Sequence, residues 1–300
     1  MKAQTMMSTR WLKSVGTLAF ALALTLPGVA HAQKAFDTPQ AAADALVDSL
    51  ARHDDAQLRE VLGPDYRRLI SFDEFSTEDR LDFLAAWAKA HRIVRDNERT
   101  ARLELNGTWT LPIPIVQTGK AWRFDTKAGL KEMHTRRVGR NELAAIRSLL
   151  AYVDAQREYA AKDRDGDGVT SYAQKILSSP GKRDGLFWPA MDGEPESPLG
   201  PLFEGKDVKD GYHGHRFRVL KAQGPAAKGG ARNYVKDGRM TEGFALVGWP
   251  VRYGETGVMT FIVNQDGVVF QKHLGPQSGA IAGSMVRFDP DASWEIVPKP

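Results

Sequence analysis

The sequence predicts an α+β protein, with N-terminal helices plus a curled antiparallel sheet, then a long helix packed on a second antiparallel sheet. Three observations predict it. Apolar residues recur at helical spacing in three stretches between residues 38 and 88. β-rich runs follow, with the turn pairs Asn106-Gly107 and Thr118-Gly119 between them. An apolar stripe from Leu143 to Ala160 then precedes a C-terminal part that reads as strands.

The first 32 residues differ from the rest. Lys2, Arg10 and Lys13 give a positive start, Val15 to Leu26 is an apolar run, and Pro27-Gly28 breaks it before Ala30-His31-Ala32. This is the three-part pattern of a cleavable signal peptide, with Gln33 as the expected mature N-terminus. The run falls short of the ~20 apolar residues a membrane span requires. No membrane span is therefore expected after cleavage, and the expected address is periplasmic. The leader carries three of the 41 basic residues and no acidic one, so 38 basic residues face 37 acidic ones in the remainder. That near-neutral balance, with no basic run longer than Arg136-Arg137, argues against a nucleic-acid partner. The absence of cysteine excludes a thiol nucleophile, a cysteine-ligated zinc and a lipidated cysteine.

Thr38-Pro39 opens the first helix, a capping hydroxyl followed by proline at the first helical position, with Ala42, Leu46, Val47 and Leu50 as its stripe. A second helix from Ala56 to Leu62 stops at Gly63. Ser76, followed by Glu78 and Asp79, caps a third, with Leu81, Phe83, Leu84, Trp87 and Ala88 expected inward. Strands are expected at Ala101–Leu105, Trp109–Val116 and Ala121–Phe124. Gly139-Arg140-Asn141-Glu142 reads as the start of the longest helix, with Leu143, Ile146, Leu149, Leu150, Val153 and Ala160 on its buried face. The predicted division is a leader (1–32), a first α+β unit (33–138) and a second unit (139–300). A Gly/Pro-rich stretch from Ser178 to Gly211 is too long for a simple connector, and such loops are usually functional. The expected final strands are Tyr212–Leu220, Phe244–Trp249, Val258–Val263 and Val268–Lys272, the last two joined through Asn264-Gln265-Asp266-Gly267.

Several groups carry candidate chemistry. Asp163, Asp165 and Asp167, with Gly168 after them, match the first half of a calcium loop, and Val169 and Ser171 fall at its later ligand positions. Gln174 stands where that loop needs a bidentate glutamate, so a solvated acidic turn capping the next segment competes with calcium. His213 and His215 would share one face of a strand as a metal pair, with His273 or Glu242 as a third ligand; a solvated strand face is the alternative. Ser179-Pro-Gly-Lys182 matches a Ser-x-x-Lys pattern by letter, but Pro-Gly breaks the helical turn that this chemistry uses. No nucleophile elbow, phosphate loop or dinucleotide fingerprint is present. Lys182, Arg183, Asp184, Phe187 and Trp188 place charges and aromatics on the long loop, with Glu194 and Glu196 beyond them. They read either as a partner-binding surface or, for Phe187 and Trp188, as pins to the core.

A helix followed by His53-Asp54-Asp55 and a second helix resembles the opening of a nuclear-transport-factor-2-like cone, over roughly residues 36 to 135. The segments Asn141 to Arg147, Ala155 to Tyr159, Tyr212 to Phe217 and Gly257 to Val269 resemble the heads of type IV pilins and type II secretion pseudopilins. The pilin leader and filament-forming apolar stem have no counterpart, so that likeness implies the head fold and not filament assembly. The strings Tyr172 to Ile176, Pro180 to Leu186 and Gly193 to Leu202 resemble an exported bacterial family described as domain of unknown function 2950. That likeness implies a fold and an address and no activity. The leading expectation is a periplasmic binding or accessory protein recognising an envelope component through residues 181 to 203. One rival is a hydrolase or isomerase in a pocket of the first unit, drawing on Asp73, Glu74, His91 and Asp125. Another is an accessory component of a secretion or pilus system.

Overall fold

The computed structural model describes residues 33–70, 76–164, 166, 168–189, 196–200 and 211–298. The leader expected over residues 1–32 lies outside them. The fold is α+β.

Helix α1 (Pro39–Arg52) starts where its cap dictates: the Thr38 hydroxyl accepts from the Ala41 N–H at 3.1 Å. It ends at His53 in the left-handed region, φ +56°. Helix α2 (Asp55–Leu62) is capped by the Asp54 carboxylate, which accepts from the Gln57 N–H at 2.9 Å. A single turn, α3 (Tyr66–Leu69), follows. Helix α4 (Thr77–Lys89) carries a full capping box: Ser76 and Asp79 each bond the other's backbone N–H. Its inward stripe differs from expectation. Phe83, Leu84, Ala86 and Trp87 are half-buried against the first core, whereas Leu81 is 55% exposed and Ala88 is exposed. A stripe centred on Phe83, Ala86 and Trp87 turns positions 81 and 88 well over 90° away.

The first sheet contains β1 (His91–Asn97), β2 (Thr100–Leu105), β3 (Trp109–Thr110), β4 (Ile115–Thr118) and β5 (Ala121–Phe124). Its order is β1-β2-β4-β5, with β3 paired to the far end of β2, and every pairing is antiparallel. The single strand expected over residues 109–116 is broken because Pro112 and Pro114 cannot donate to a ladder. Ala101, Leu103 and Leu105 alternate inward on β2 and meet Leu46, Leu50 and Leu58 from the helices.

Helix α5 (Thr126–Ala160) begins well before Gly139. Asp125 caps it, accepting from the Ala128 N–H at 2.9 Å. Gly139 sits in mid-helix where an added Cβ would meet nothing, so it costs only its intrinsic ~1 kcal/mol. The first turns of α5 present Leu130 and Met133 to the first core, and Gly129 packs so closely on Ile113 that a Cβ would lie 3.0 Å from it. Later turns present Ala145, Ile146, Leu149, Tyr152, Val153 and Tyr159 to a second core. Leu143, expected on that face, is 48% exposed, because the stripe through Ile146, Leu149 and Val153 does not pass through it.

The C-terminal part runs β6 (His215–Leu220), β7 (Ala222–Gln223), β8 (Arg232–Asn233), β9 (Val235–Lys236), β10 (Arg239–Met240), β11 (Ala245–Pro250), β12 (Thr260–Asn264), β13 (Phe270–Lys272), helix α6 (Ser278–Ser284) and β14 (Glu295–Ile296). The main sheet has the order β14-β13-β12-β11-β6, antiparallel throughout. In the connection from β12 to β13 Gly267 takes φ +72° and its N–H donates to the Asn264 carbonyl at 3.0 Å. The later half of α5 lies on β6, β11 and β12. Burying Leu149, Tyr152, Phe244 and Phe261 there contributes about 1.5–3 kcal/mol for each apolar side chain. Among the described residues no helix is long and apolar enough to cross a membrane.

Candidate functional site

The first unit does not close on itself. Helices α1 and α4, the end of β2 and the Trp109–Ile113 segment enclose a cavity of about 470 Å³. Leu46, Leu50, Phe83, Leu105, Ile113 and Met133 give it apolar walls. Among the described residues its polar lining comes from Asn106 and Asp79. Asp79 belongs to the α4 cap, where bonds from the Ser76 hydroxyl and backbone hold its carboxyl below the usual range. Trp109 stands at the edge of the cavity, 43% exposed, with its ring edge-on to Phe83 at 6.3 Å between centroids. Of the groups offered by sequence for acid–base chemistry, His91 and Asp125 are not in this wall. His91 stacks on Trp87 at 3.5 Å and its Nδ1 lies 2.9 Å from the Trp87 carbonyl. Asp125 caps α5. Asp73 and Glu74 lie outside the described residues. The arrangement suits apolar binding better than proton transfer.

The segment from Tyr172 to Pro189 is threaded onto the second core rather than held away from it. Tyr172 N–H donates to the Met240 carbonyl, Leu186 N–H to Lys175 and Phe187 N–H to Ile176. Leu186 is fully buried, Trp188 is 5% exposed and Phe187 packs partly buried on the core. Arg164 and Arg183 lie over the Trp188 ring at 5.5 and 5.8 Å. Lys182, Arg183, Phe187 and Trp188 also line a second recess of about 620 Å³. Asp184 turns instead to Lys175 Nζ at 2.6 Å and to the Ser179 N–H at 2.7 Å. Those bonds pull its carboxyl down to about 2, with the Lys175 bond the largest cause.

A family model described as protein of unknown function (DUF2950) matches residues 33–297. The chain belongs to that family. No curated protein and no solved structure matches it.

In this DUF2950 chain Lys175 Nζ also lies 2.8 Å from Ser179 Oγ, a serine–lysine contact that the letter match to Lys182 misses. It is poorly set for catalysis. The same Nζ is held by the Asp184 carboxylate at 2.6 Å, and Ser179 Oγ is itself bonded to that carboxylate at 3.0 Å. The acidic segment is ordered by its own backbone where it is described. Asp163 Oδ1 accepts from Gly166 N–H and Oδ2 from Gly168 N–H, both at 2.8 Å. Gln174 is committed elsewhere, donating to the Gly238 carbonyl at 2.7 Å and accepting from Lys221 at 2.9 Å. Ser171 is half-buried and Val169 is exposed, while Asp165 and Asp167 lie outside the described residues.

The histidines of the DUF2950 chain do not form the expected pair. His213 sits in a turn at φ +49°, before β6 begins, and is exposed. His215 is wholly buried, with Nδ1 3.2 Å from the His213 carbonyl and no partner on Nε2. Two left-handed residues, His213 and Gly214, take the chain out of the strand alternation that the pairing assumed. His273 bonds Tyr253 at 2.6 Å. Among the described residues no three His, Asp or Glu side chains are grouped to hold a metal.

Burial holds the His215 imidazole below its usual value, against the milder opposing pulls of the His213 carbonyl and then Glu142. A depressed histidine binds its proton more weakly in the folded state, so its contribution to stability is full above ~6.5 and is lost as pH falls below that value. The expected result is a melting temperature that declines below pH ~6.5, with the His215 NMR resonances titrating below the free-imidazole midpoint. A midpoint at or above the free value would contradict this.

Proposed function

We propose that the chain is exported through its leader and acts in the periplasm as a binding or accessory protein, not as an enzyme. In this reading the ligand site is the cavity of the first unit, and the ligand is an apolar small molecule or chain. What carries the reading is the cavity itself: about 470 Å³ with apolar walls, where Asp79, the one ionisable lining group among the described residues, is already consumed in a helix cap. Pockets of this size and lining are typical of sites that bury most of a small ligand. In the acidic segment the Asp163 oxygens accept from the Gly166 and Gly168 N–H groups and hold its turn.

Titration of the purified protein with dodecanol tests the reading. One equivalent is expected to bind, raise the melting temperature and quench tryptophan emission through Trp109. Ala86→Trp, which places a large ring in the cavity from a half-buried position on α4, should abolish this and leave the ligand-free melting temperature nearly unchanged. Absence of any dodecanol binding by the wild type would refute the site.

A second reading draws on the later half of α5 lying against an antiparallel sheet. Together with the likeness to pilin heads in the 141–269 strings, it supports an accessory role beside a secretion or pilus assembly. Co-purification with pseudopilins from envelope extract tests it, and their absence would count against it.

A further inference from the structure

The apolar cavity has an electrically distinct neighbour. A smaller recess of about 390 Å³ is lined by Arg68, Arg136, Arg137, Arg140 and His134, and among the described residues no carboxylate lines it. Leu69, Trp109, Pro112 and Met133 line both this recess and the apolar cavity. The two therefore adjoin across these four residues, apolar on one side and cationic on the other.

Local structure explains why the arginines gather there. Arg136, Arg137 and Arg140 fall within two turns of α5, and Arg68 comes from the short helix α3, which packs against α5. Arg136 is committed to structure: it bonds Glu132 at 2.8 Å and donates to the Thr110 carbonyl at 2.7 Å and the Thr110 hydroxyl at 3.1 Å. This clamp fixes β3, and with it Trp109, against α5. Arg137 has one nitrogen 3.2 Å from His134 Nδ1. Among the described residues Arg68, Arg137 and Arg140 make no salt bridge, and all three are exposed. Glu132, beside Arg136, and Asp79, in the apolar cavity, already have partners. Three guanidinium groups without a salt bridge among the described residues, in a recess beside an apolar cavity, form a binding set for an anion whose other end is greasy.

From this juxtaposition, and resting on the cavity reading above, we infer that the ligand is a single-chain anionic amphiphile. Its chain lies between α1, α4 and β2, it passes over Trp109, and its carboxylate or phosphate head meets Arg68, Arg137 and Arg140. A free fatty acid and a single-chain phospholipid share this chemistry. A neutral chain gains only the apolar contacts, and a small anion gains only exposed charge contacts, which are worth little alone.

The test compares four probes below their micelle concentrations at pH 8, where the anions are ionised: dodecanoate, dodecyl phosphate, dodecanol and inorganic phosphate. At least one of the two anionic amphiphiles is expected to bind about tenfold or more tightly than dodecanol, equivalent to about 1.4 kcal/mol, and to weaken with added salt. Which of them binds more tightly distinguishes a carboxylate from a phosphate head. Inorganic phosphate is expected to bind at least a hundredfold more weakly than either. The double variant Arg68→Gln, Arg140→Gln changes only exposed side chains and should bring the anionic amphiphiles to the affinity of dodecanol. Equal affinity for all three chains in the wild type, or an unchanged preference in the double variant, would overturn the anionic head while leaving the apolar site standing. Failure of every chain to bind would overturn both. Inorganic phosphate binding as tightly as dodecyl phosphate would also overturn the inference, since the cavity would then contribute nothing.

Discussion

Replacing Gln156 with leucine is expected to cost about 2–6 kcal/mol of stability, because it strands two buried backbone groups at ~1–3 kcal/mol each. Gln156 is fully buried on α5. Its Oε1 accepts from the Ala173 N–H at 2.8 Å and its Nε2 donates to the Ala173 carbonyl at 2.8 Å and to the Tyr152 hydroxyl at 2.9 Å. The amide therefore serves as a strand partner for a residue that has no other in that register, and it bridges α5 to the segment entering the 172–189 region. The Tyr152 hydroxyl keeps its own bond to the Ala245 carbonyl at 3.3 Å, so the loss should concentrate at Ala173. Urea titration measures the difference. A loss below about 1 kcal/mol, within the range of an ordinary single hydrogen bond, would show that water takes over the amide's role.

Trp188→Ala should cost about 3–5 kcal/mol, the usual range for truncating a large buried aromatic. The ring is 5% exposed, belongs to the second core and carries two guanidinium groups against it. Any change of envelope partners seen with this variant would therefore report loss of packing before loss of recognition. Lys182→Ala, on the same recess but outside the core, should stay within ~0.5 kcal/mol of wild type. Equal melting temperatures for wild type and Trp188→Ala would contradict the placement of the ring in the core.

What could be read from the chain beforehand follows from where each signal resides. Caps are local, so Thr38-Pro39 and Ser76 with Asp79 marked two helix starts correctly. The strands β2, β5, β11 and β12 were legible because a buried face forces apolar alternation or an apolar run on their residues. Strand β1 was not: it is an edge strand of mostly exposed, charged residues, His91 to Asn97, paired on one side only. The start of α5 was misplaced because Gly139 mimics a boundary, while the operative cap at Asp125 follows directly on a strand. Leu143 was misassigned because its burial depends on which stripe meets the sheet, and that is a tertiary fact.

The candidate site was the least legible part. A cavity exists where four elements fail to meet, and no residue in Leu46, Phe83, Leu105 or Ile113 differs from an ordinary core residue when read singly. The basic recess left one trace, Arg136, Arg137 and Arg140 within two turns of a helix. Read as a run it is too short for a polyanion face. Its partner Arg68 is brought in only by the packing of α3 on α5. By contrast the two histidines that looked chemical in sequence are not brought together on a strand: His213 lies in a turn before β6 and His215 is buried at its start.

Photolabelling is the most direct measurement. A dodecanoate analogue carrying a diazirine near its methyl end would be bound, irradiated and the labelled peptides mapped by mass spectrometry. Label is expected within residues 46–50, 83–86 and 105–113, and should be displaced by excess dodecanoate. Label concentrated on residues 177–189, or scattered without displacement, would contradict the assignment of the ligand site to the first unit.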